Sequence, residues 1–459
     1  MPETRVDEQG NQFVVTLPGE KTKPGKKSKG AANGRLNDAT IAQMALKDWG
    51  KPLAYHAGEF WSYTPENGWL IATNQIAKLC NTLRGSNTEK TVMKILEAQT
   101  RLPDLEQCEQ YSTYWELEAG EWVPFHITAS QVLFSNGLLD LGDMSFTPTH
   151  ARIIFGPRVS VPFDPDTSFD ARCDEFTDLL NFALPDPEHR EYLQALAGLI
   201  LQPHTILRGQ IVFIGVPHSG KTTIATAIAT APGGTRGQAS VSEKRLTKDK
   251  WAPTLLANKF ASVSNDSGLS SQWEEFMKSY TSGTFTVEAK FGKPSSAPTT
   301  AKLISTCNDM QKAADSSGAA EMRYRIFRFD KAIADTGRAE QTQFMTATYW
   351  AHPERRAGIV AWMLEGLARV VEYGLVEPES MKVAKREAMC ESNPVLEFVT
   401  TQLIADDEAF LETANLLAAY GDADKGVAMQ IPKLIKRIYG ISKGQKAGKR
   451  GYPGLRLRE

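Results

Sequence analysis

The chain has 459 residues, 41% of them hydrophobic, and a formal net charge of -2 at pH 7, which predicts two or three domains with full cores and excludes a global electrostatic attraction to nucleic acid. Its five cysteines are scattered without a C-x-x-C pair, which predicts a reduced, intracellular protein without a zinc site. No apolar run approaches the roughly 20 residues of a membrane helix, and the first residues lack the apolar core of a signal peptide.

The first predicted element is a disordered basic arm over residues 1–36. Five lysines fall between positions 21 and 29 among glycine, proline and serine, where the chain has little to bury. The arm is interpreted either as an electrostatic contact for DNA or as a solvated tail.

Residues 37–165 are predicted to form a small mixed α+β domain. Helical spacing of apolar residues covers 37–47 and 74–100, and aromatic pieces around Trp61 and Trp115 have the character of strands. Aromatic side chains can stack on bases, but we favour the core of a small domain, because aromatic residues contribute most to core burial.

A helical collar is predicted over 166–207, because apolar residues at helical spacing continue up to the next strand. An α/β domain is predicted to follow over 208–390. It contains the motifs that carry chemistry.

The most informative stretch of the chain is a glycine loop. An apolar strand at 211–214 is followed by GVPHSGKT, which fits G-x-x-x-x-G-K-[ST], and then by a small apolar helix. This order is the context of a P-loop, whose backbone N–H groups and helix N-terminus hold phosphate oxygens. A lysine at this position contacts the β- and γ-phosphates and the next hydroxyl ligates Mg²⁺. The alternative is a chance glycine turn; the predicted nucleotide contacts are Gly215, Gly220, Lys221, Thr222 and Thr223.

Polar residues follow two further predicted strands. Asp266 comes after an apolar strand at 260–264, and Asn308 comes after another at 301–306. Parallel sheets place such residues at the edge where the phosphates lie. Asp266 is predicted to act with Thr222 at Mg²⁺ or to orient the attacking water, and the alternative is an ordinary Asn-Asp turn. Asn308 is predicted to sense the γ-phosphate or the attacking water.

A projecting hairpin is predicted between these strands. Residues 278–294 alternate around Phe285 and end in Lys290, an aromatic residue and Lys293. Basic and aromatic side chains together suit a nucleic-acid backbone. The alternative is an ordinary surface hairpin.

Three arginines, Arg323, Arg325 and Arg328, surround the last predicted strand of this domain. An arginine here fits an arginine finger, whose charge stabilises the transition state on a neighbour's γ-phosphate. The alternative is a salt-bridging arginine, and charge alone does not choose among the three.

Residues 395–459 are predicted to form a separate basic domain. Helical pieces at 396–404 and 408–420 precede a helix at 431–439 and a basic, alternating C-terminal segment. Helices followed by a basic turn and strand are typical of a winged helix, which grips phosphates; the alternative is a disordered basic tail. The predicted DNA contacts are Lys449, Arg450, Arg456 and Arg458.

Taken together, these motifs resemble the superfamily 3 helicases of phage, plasmid and poxvirus replication, in the phage/plasmid-type primase C-terminal family. The resemblance covers about 50–459 and rests on features in the family's order: SNGLLDL, GVPHSGKT, NKFASVSND, MKSYTSGTFTVEAKFG, KLISTCND, EMRYRIFRFD and RGYPGLRLR. The P-loop alone is not specific to this family, whereas the series is.

The resemblance implies roles for individual residues. Asp266 stands at the acid of the second motif, where the family often has Glu, and Asn308 stands at the polar sensor. Arg323 is the best match to the family arginine, with Arg325 a close second, and Lys290 matches the basic end of the DNA-facing hairpin.

The chain also departs from the family pattern. Asn265 occupies a position that some relatives fill with a second acid. The segment SGTFTV lacks the Asp that many relatives carry after Ser-Gly, which leaves the register of the hairpin open. No primase catalytic segment precedes the helicase part, so a primase or polymerase partner is expected to be a separate protein.

The architecture implied is α/β: a P-loop, AAA+-like parallel-sheet core, a mixed α+β and helical collar region before it and a winged helix after it. The implied function is an ATP-dependent replicative helicase of a phage, plasmid or mobile element. With ATP and Mg²⁺ it would move 3′→5′ on single-stranded DNA and unwind a forked duplex. A finger acting in trans implies a ring, expected as a hexamer, in the cytoplasm of a bacterial host and without a membrane partner.

Two rival functions share the P-loop. One is a replication initiator that forms an ATP-dependent ring on DNA without unwinding it. The other is a DNA-packaging motor, although such motors usually carry a nuclease with clustered acids and the sequence shows no such cluster.

Overall fold

The computed structural model describes residues 3–6, 12–15, 37–56, 59–64, 68–84, 89–100, 114–118, 121–148, 154–265, 271–288, 294–308, 323–332, 346–421 and 425–458. The chain divides into two compact units, Met1–Phe163 and Asp164–Glu459. Within the described residues, no helix is both long enough and apolar enough to cross a bilayer.

The predicted basic arm is described only in part. Two short strands, β1 (Glu3–Val6) and β2 (Gln12–Val15), pair antiparallel. The lysines of the arm lie outside the described residues.

Besides the β1-β2 pair, the described residues of the first unit form three helices and three antiparallel sheets in the orders β3-β4-β5, β11-β6-β7 and β10-β9-β8. Its elements are α1 (Asp38–Trp49), β3 (Leu53–His56), β4 (Glu59–Thr64), β5 (Gly68–Ile71), α2 (Thr73–Arg84), α3 (Glu89–Thr100), β6 (Tyr114–Glu118), β7 (Glu121–Phe125), β8 (Gln131–Leu133), β9 (Gly137–Asp140), β10 (Ser145–Pro148) and β11 (Ile154–Phe155).

Aromatic side chains form much of the core of this unit. Trp69, Trp115 and Phe155 are each less than a tenth exposed and share one cluster with Tyr63. The indole N–H of Trp69 donates to the backbone oxygen of Ile154 at 2.9 Å. These contacts confirm the interpretation of the aromatic pieces as core.

The second unit continues with α4 (Asp174–Ala183), α5 (Pro187–Ile200), β12 (Gln210–Gly215), α6 (Lys221–Thr230), α7 (Gly234–Gly237), β13 (Gln238–Ser240), α8 (Glu243–Lys248), a 3₁₀ helix (Ala252–Leu256), β14 (Ala261–Asn265), α9 (Ser271–Tyr280), β15 (Thr284–Glu288), β16 (Pro294–Pro298), β17 (Lys302–Cys307) and β18 (Tyr324–Phe329). It ends with α10 (Ala347–Trp350), α11 (Pro353–Tyr373), α12 (Glu379–Ser392), α13 (Pro394–Gln402), β19 (Leu403–Glu412), α14 (Thr413–Tyr420), α15 (Lys425–Tyr439), β20 (Gly444–Lys446) and β21 (Lys449–Leu457).

The central feature of this unit is a five-stranded parallel sheet in the order β13-β14-β17-β12-β18. Its inner strands β12 and β17 are buried along nearly their whole length, as the continuous apolar run of a parallel strand requires. The prediction of an α/β unit built on a parallel sheet is confirmed. All five strands run the same way, so their carboxyl ends share one edge.

The collar helix α5 packs closely against α11, which follows the sheet in sequence. Gly198 and Gly366 allow this approach, because a Cβ at either residue would overlap backbone atoms of the opposite helix. The Gln194 side chain also donates to the backbone oxygen of Trp362 at 2.7 Å. The two helices therefore form one layer that supports the sheet.

The C-terminal segment corrects one prediction. The helix predicted over 408–420 is wrong at its start, because β19 continues to Glu412 and only α14 is helical. β19 pairs antiparallel with β21, and the sheet order is β19-β21-β20. Burial of Leu403 and Leu411 against this core outweighs the helical preference of the Ala and Glu residues in this segment.

A buried lysine lies at the start of β17. Lys302 is 3% exposed, and its ammonium donates to the backbone oxygens of Gln202 at 2.5 Å and Thr300 at 3.4 Å. Burial lowers the pKa of this lysine to about 7. Among the described partners of Lys302, only neutral carbonyl oxygens contact its ammonium.

This lysine should make the stability of the fold depend on pH. The folded chain releases the Lys302 proton near pH 7, whereas the unfolded chain keeps it up to the ordinary value of 10.5. The unfolded state therefore binds more protons in that window, and the contribution of Lys302 to stability increases with pH. We expect Lys302→Met to flatten the rise in the free energy of unfolding between pH 7 and 9, measured by urea denaturation.

The matched control is Lys278→Met at an exposed position of α9, which should leave the slope of stability against pH unchanged. A difference between Lys302→Met and the unsubstituted chain that is constant across pH would contradict the expectation.

Candidate functional site

The predicted glycine loop lies between β12 and α6, at the carboxyl edge of the parallel sheet. β12 ends at Gly215 and α6 begins at Lys221, with Gly220 at φ 86° as the residue before the helix. The strand and helix predicted on either side of the loop are confirmed. No side chain caps α6, so its first N–H groups and its partial positive charge face the loop.

Gly215 permits a close approach between the loop and β18. Its φ is 142°, and a Cβ here would overlap the backbone oxygen of Phe329. The next residue, Val216, donates its N–H to that same oxygen at 3.0 Å. The start of the loop is therefore fixed to the edge strand.

Lys221 lies inside the loop. Its side chain is 7% exposed, and its ammonium donates to the backbone oxygens of Gly215 at 2.8 Å and Val216 at 2.5 Å and to Ser219 Oγ at 3.1 Å. Burial lowers the pKa of Lys221. All three of these acceptors are neutral, so the site carries positive charge that an anion would stabilise.

Three polar side chains link the loop to the neighbouring strands. Thr222 Oγ1 lies 3.3 Å from Thr306 Oγ1, and Thr306 Oγ1 donates to Asn265 Oδ1 at 3.1 Å. Thr306 lies near the end of β17 and Asn265 ends β14. The sequence analysis did not predict a role for Thr306. The available indication was that a hydroxyl residue comes just before the predicted sensor Asn308, on a strand expected beside the P-loop strand.

The predicted polar residues fall at the same edge where the structure describes them. Asn308 is exposed and directly follows β17, whose last residue Cys307 lies beside Ile214. Asp266 follows Asn265 but lies outside the described residues. Thr223 is buried on α6 at 6% exposure. The structure thus brings the glycine loop, Thr222 and Asn308 to one edge.

The predicted finger arginines lie towards the opposite edge of the sheet. Arg323 precedes β18, where its backbone oxygen packs on Gly209, and Arg325 lies beside Ile211. Burial raises the pKa of Tyr192 to about 12, and a hydrogen bond from Arg325 acts against that rise. Neither arginine lies near the glycine loop of its own chain.

A hairpin is present, but the bounds predicted for it, 278–294, are wrong: residues 278–280 end α9, and the second strand begins only at Pro294 and runs to Pro298. β15 and β16 pair antiparallel from Thr284 opposite Pro298 to Glu288 opposite Pro294. The predicted DNA contacts Lys290 and Lys293 lie outside the described residues.

A basic and aromatic surface, which sequence reasoning missed, borders this hairpin. Lys250 Nζ lies 2.7 Å from a carboxylate oxygen of Glu288 at the end of β15. Trp251 is 42% exposed, and the Lys250 ammonium lies 5.3 Å from the centre of its ring. Lys244 and Lys248 of α8 are also exposed.

Of the four predicted DNA contacts at the C-terminus, two form ion pairs with acidic residues and the other two are exposed. Lys449 lies 2.6 Å from Glu412, and Arg456 lies 3.0 Å from Asp406. Arg450 and Arg458 are exposed. Sequence reasoning missed these acidic partners, because they lie on β19, about 40 to 50 residues away along the chain.

One described hydroxyl oxygen at the start of α6 could bind a metal ion. Thr222 offers a hydroxyl, and the described residues contain no group of three or more His, Cys, Asp or Glu that could hold a metal. Mg²⁺ commonly binds through one or two protein oxygens together with phosphates and water.

Comparison with known proteins gives a limited match. A model described as a family of unknown function (DUF5906) matches residues 213–323. None of the curated proteins matches the chain. Among solved structures, the A form of the apo NrS-1 C-terminal region is 13% identical with a TM-score of 0.43, and the match covers 91% of this chain and 99% of that chain. Another apo structure of that region, also 13% identical, has a TM-score of 0.44 and covers 92% of this chain and 100% of that chain.

The close contact at Gly215 leads to a stability prediction. Gly215→Ala would place a Cβ against the Phe329 oxygen at a φ that side-chain-bearing residues rarely adopt. We expect a loss of about 2 kcal/mol in stability, seen by calorimetry as a melting temperature lower by about 5 °C. Val216→Ala, at a residue 39% exposed, should change it little. An unchanged melting temperature for Gly215→Ala would show that the contact is not tight.

Proposed function

We propose that the chain is an ATP-dependent DNA helicase whose P-loop is the segment Gly215–Thr222. The observation that carries the proposal is the buried ammonium of Lys221, held by neutral acceptors at the uncapped start of α6. Such a site offers backbone N–H groups and one positive charge to phosphate oxygens. On binding, the Lys221 ammonium would exchange loop carbonyls for the β- and γ-phosphates.

Four further residues would complete a hydrolytic site. Thr222 would bind Mg²⁺, which neutralises charge on the phosphates, and Thr223 would lie in the first turn of the helix behind them. Asp266, next in sequence to Asn265, would act at the metal or on the attacking water. Asn308, exposed after β17, would contact the γ-phosphate or that water.

The position of the arginines favours a shared active site. Arg323 and Arg325 lie far along the sheet from the glycine loop of their own chain, so a finger role requires a neighbouring chain. Arg325 is engaged by Tyr192 within its own chain. Arg323 is therefore the finger we propose, and the assembly is a ring, expected as a hexamer.

Two surfaces would contact DNA. The first joins the β15–β16 hairpin to Lys250 and Trp251, which would combine phosphate contact with base stacking. Lys290 and Lys293, which fall between β15 and β16 in sequence, would add positive charge to it. The second is the C-terminal segment, whose order of helix, strand, two helices and two strands supports the proposal of a winged helix. There Arg450 and Arg458 would contribute more than Lys449 and Arg456, which already pair with acids.

The proposal is tested by strand separation of a forked duplex. With ATP and Mg²⁺ we expect unwinding of a fork with a 3′ tail and little unwinding with only a 5′ tail. Lys221→Ala should fold and yet lose ATP hydrolysis by at least about 100-fold, because the phosphate charge loses its partner. Lys382→Ala, on the exposed side of α12, is the matched control and should retain both activities.

ATP hydrolysis without strand separation would favour the alternative function, an ATP-dependent initiator ring, over a helicase. Retained hydrolysis in Lys221→Ala would overturn the assignment of the P-loop.

A mixing experiment tests the shared site. Arg323→Ala should reduce hydrolysis by about a thousandfold while nucleotide binding is kept, because a finger acts in the transition state. When Arg323→Ala and Lys221→Ala chains are combined, mixed rings contain intact sites and turnover should partly return. Arg386→Ala, at an exposed arginine of α12, should behave as the unsubstituted chain. If no ratio of the two variants restores turnover, the finger does not act between chains.

A further inference from the structure

Three side chains at the carboxyl edge, two with a hydroxyl and one with an amide, are linked by a row of hydrogen bonds. Thr222 comes from α6, Thr306 from β17 and Asn265 from β14, and the last two residues lie side by side in the sheet. Thr306 is 4% exposed and lies between the other two, 3.3 Å from Thr222 Oγ1 and 3.1 Å from Asn265 Oδ1. Parallel pairing of β14 with β17 fixes this arrangement.

The number of hydroxyl hydrogens fixes the direction of donation in this row of hydrogen bonds. A hydroxyl has one hydrogen to donate and two lone pairs. Thr306 gives its hydrogen to the Asn265 amide oxygen, so it can only accept from Thr222 across their 3.3 Å contact. The hydrogen of Thr222 is then directed into the sheet, and its lone pairs face away from Thr306.

We propose that Thr306, supported by Asn265, is a positioning residue that presents the lone pairs of Thr222 to magnesium. A metal ion needs a lone pair and is repelled by a hydroxyl hydrogen, so the orientation of the Thr222 hydroxyl matters for its affinity. Asn265 ends this row of hydrogen bonds with an uncharged acceptor. This inference rests on the proposed function, because it concerns the same site.

The test is magnesium-dependent binding of the non-hydrolysable analogue AMP-PNP, measured by calorimetry. With Mg²⁺ present, Thr306→Val should bind the analogue about tenfold more weakly, the range found when a group behind a metal ligand is removed. Thr306→Ser, which keeps the hydroxyl, should stay within about twofold of the unsubstituted chain. With EDTA in place of Mg²⁺ all three should bind equally, because the glycine loop and Lys221 are unchanged.

Two further variants complete the design. Ser262→Ala removes another buried hydroxyl of β14 that lies outside the chain of contacts, and it should change nothing. Asn265 is exposed, so Asn265→Ala should fold even if Thr306→Val does not. It should weaken magnesium-dependent binding about threefold, whereas Asn265→Asp, which keeps an acceptor oxygen, should not.

The outcomes separate this inference from the proposed function. The inference would be overturned if Mg²⁺ increased the affinity for AMP-PNP equally in Thr306→Val and in the unsubstituted chain. It would also be overturned if Thr306→Val lost as much affinity with EDTA as with Mg²⁺, because that loss would indicate a merely structural role. If Thr306→Val does not fold, an unchanged effect of Mg²⁺ in Asn265→Ala overturns it. An unsubstituted chain that binds no analogue at all overturns the proposed function, and the inference with it.

Discussion

The parallel pairing of β17 with β12 is the constraint on which the site depends. Because neighbouring parallel strands end at the same edge, the loop that leaves β12 meets the polar end of β17. Pairing of β14 on the far side of β17 adds Asn265 to the same edge. Without this order, Lys221 and Thr222 would still follow a glycine loop, but Thr306 would not lie within reach of the Thr222 hydroxyl.

β17 also connects the two faces of the sheet. Thr306 contacts Thr222 on one side, whereas the adjacent Ser305 donates to the buried carboxylate of Glu243 at 2.8 Å on the other. Glu243 begins α8, which leads to the exposed Lys250 and Trp251 beside the hairpin. The buried hydrogen bond between Ser305 and Glu243 therefore links β17 to the helix that leads to this surface.

The sequence predicts well what depends on neighbouring residues and poorly what depends on pairing between distant ones. The glycine loop, its strand and its helix are local patterns, and the structure has them. The start of the predicted helix over 408–420 is strand instead, because β19 is held by β21. The acids opposite Lys449 and Arg456, and the contact of Thr222 with Thr306 across 84 positions, follow from strand order and register, which sequence spacing does not contain.

We propose that the Lys221 ammonium, which contacts loop oxygens in this structure, contacts phosphate oxygens when nucleotide is bound. A crystal structure with AMP-PNP and Mg²⁺ tests it most directly. We expect phosphates within the loop Gly215–Lys221, with the ammonium moved from the oxygens of Gly215 and Val216 to the phosphate oxygens. An analogue bound elsewhere, or a Lys221 that keeps both loop oxygens while the analogue is bound, would contradict it.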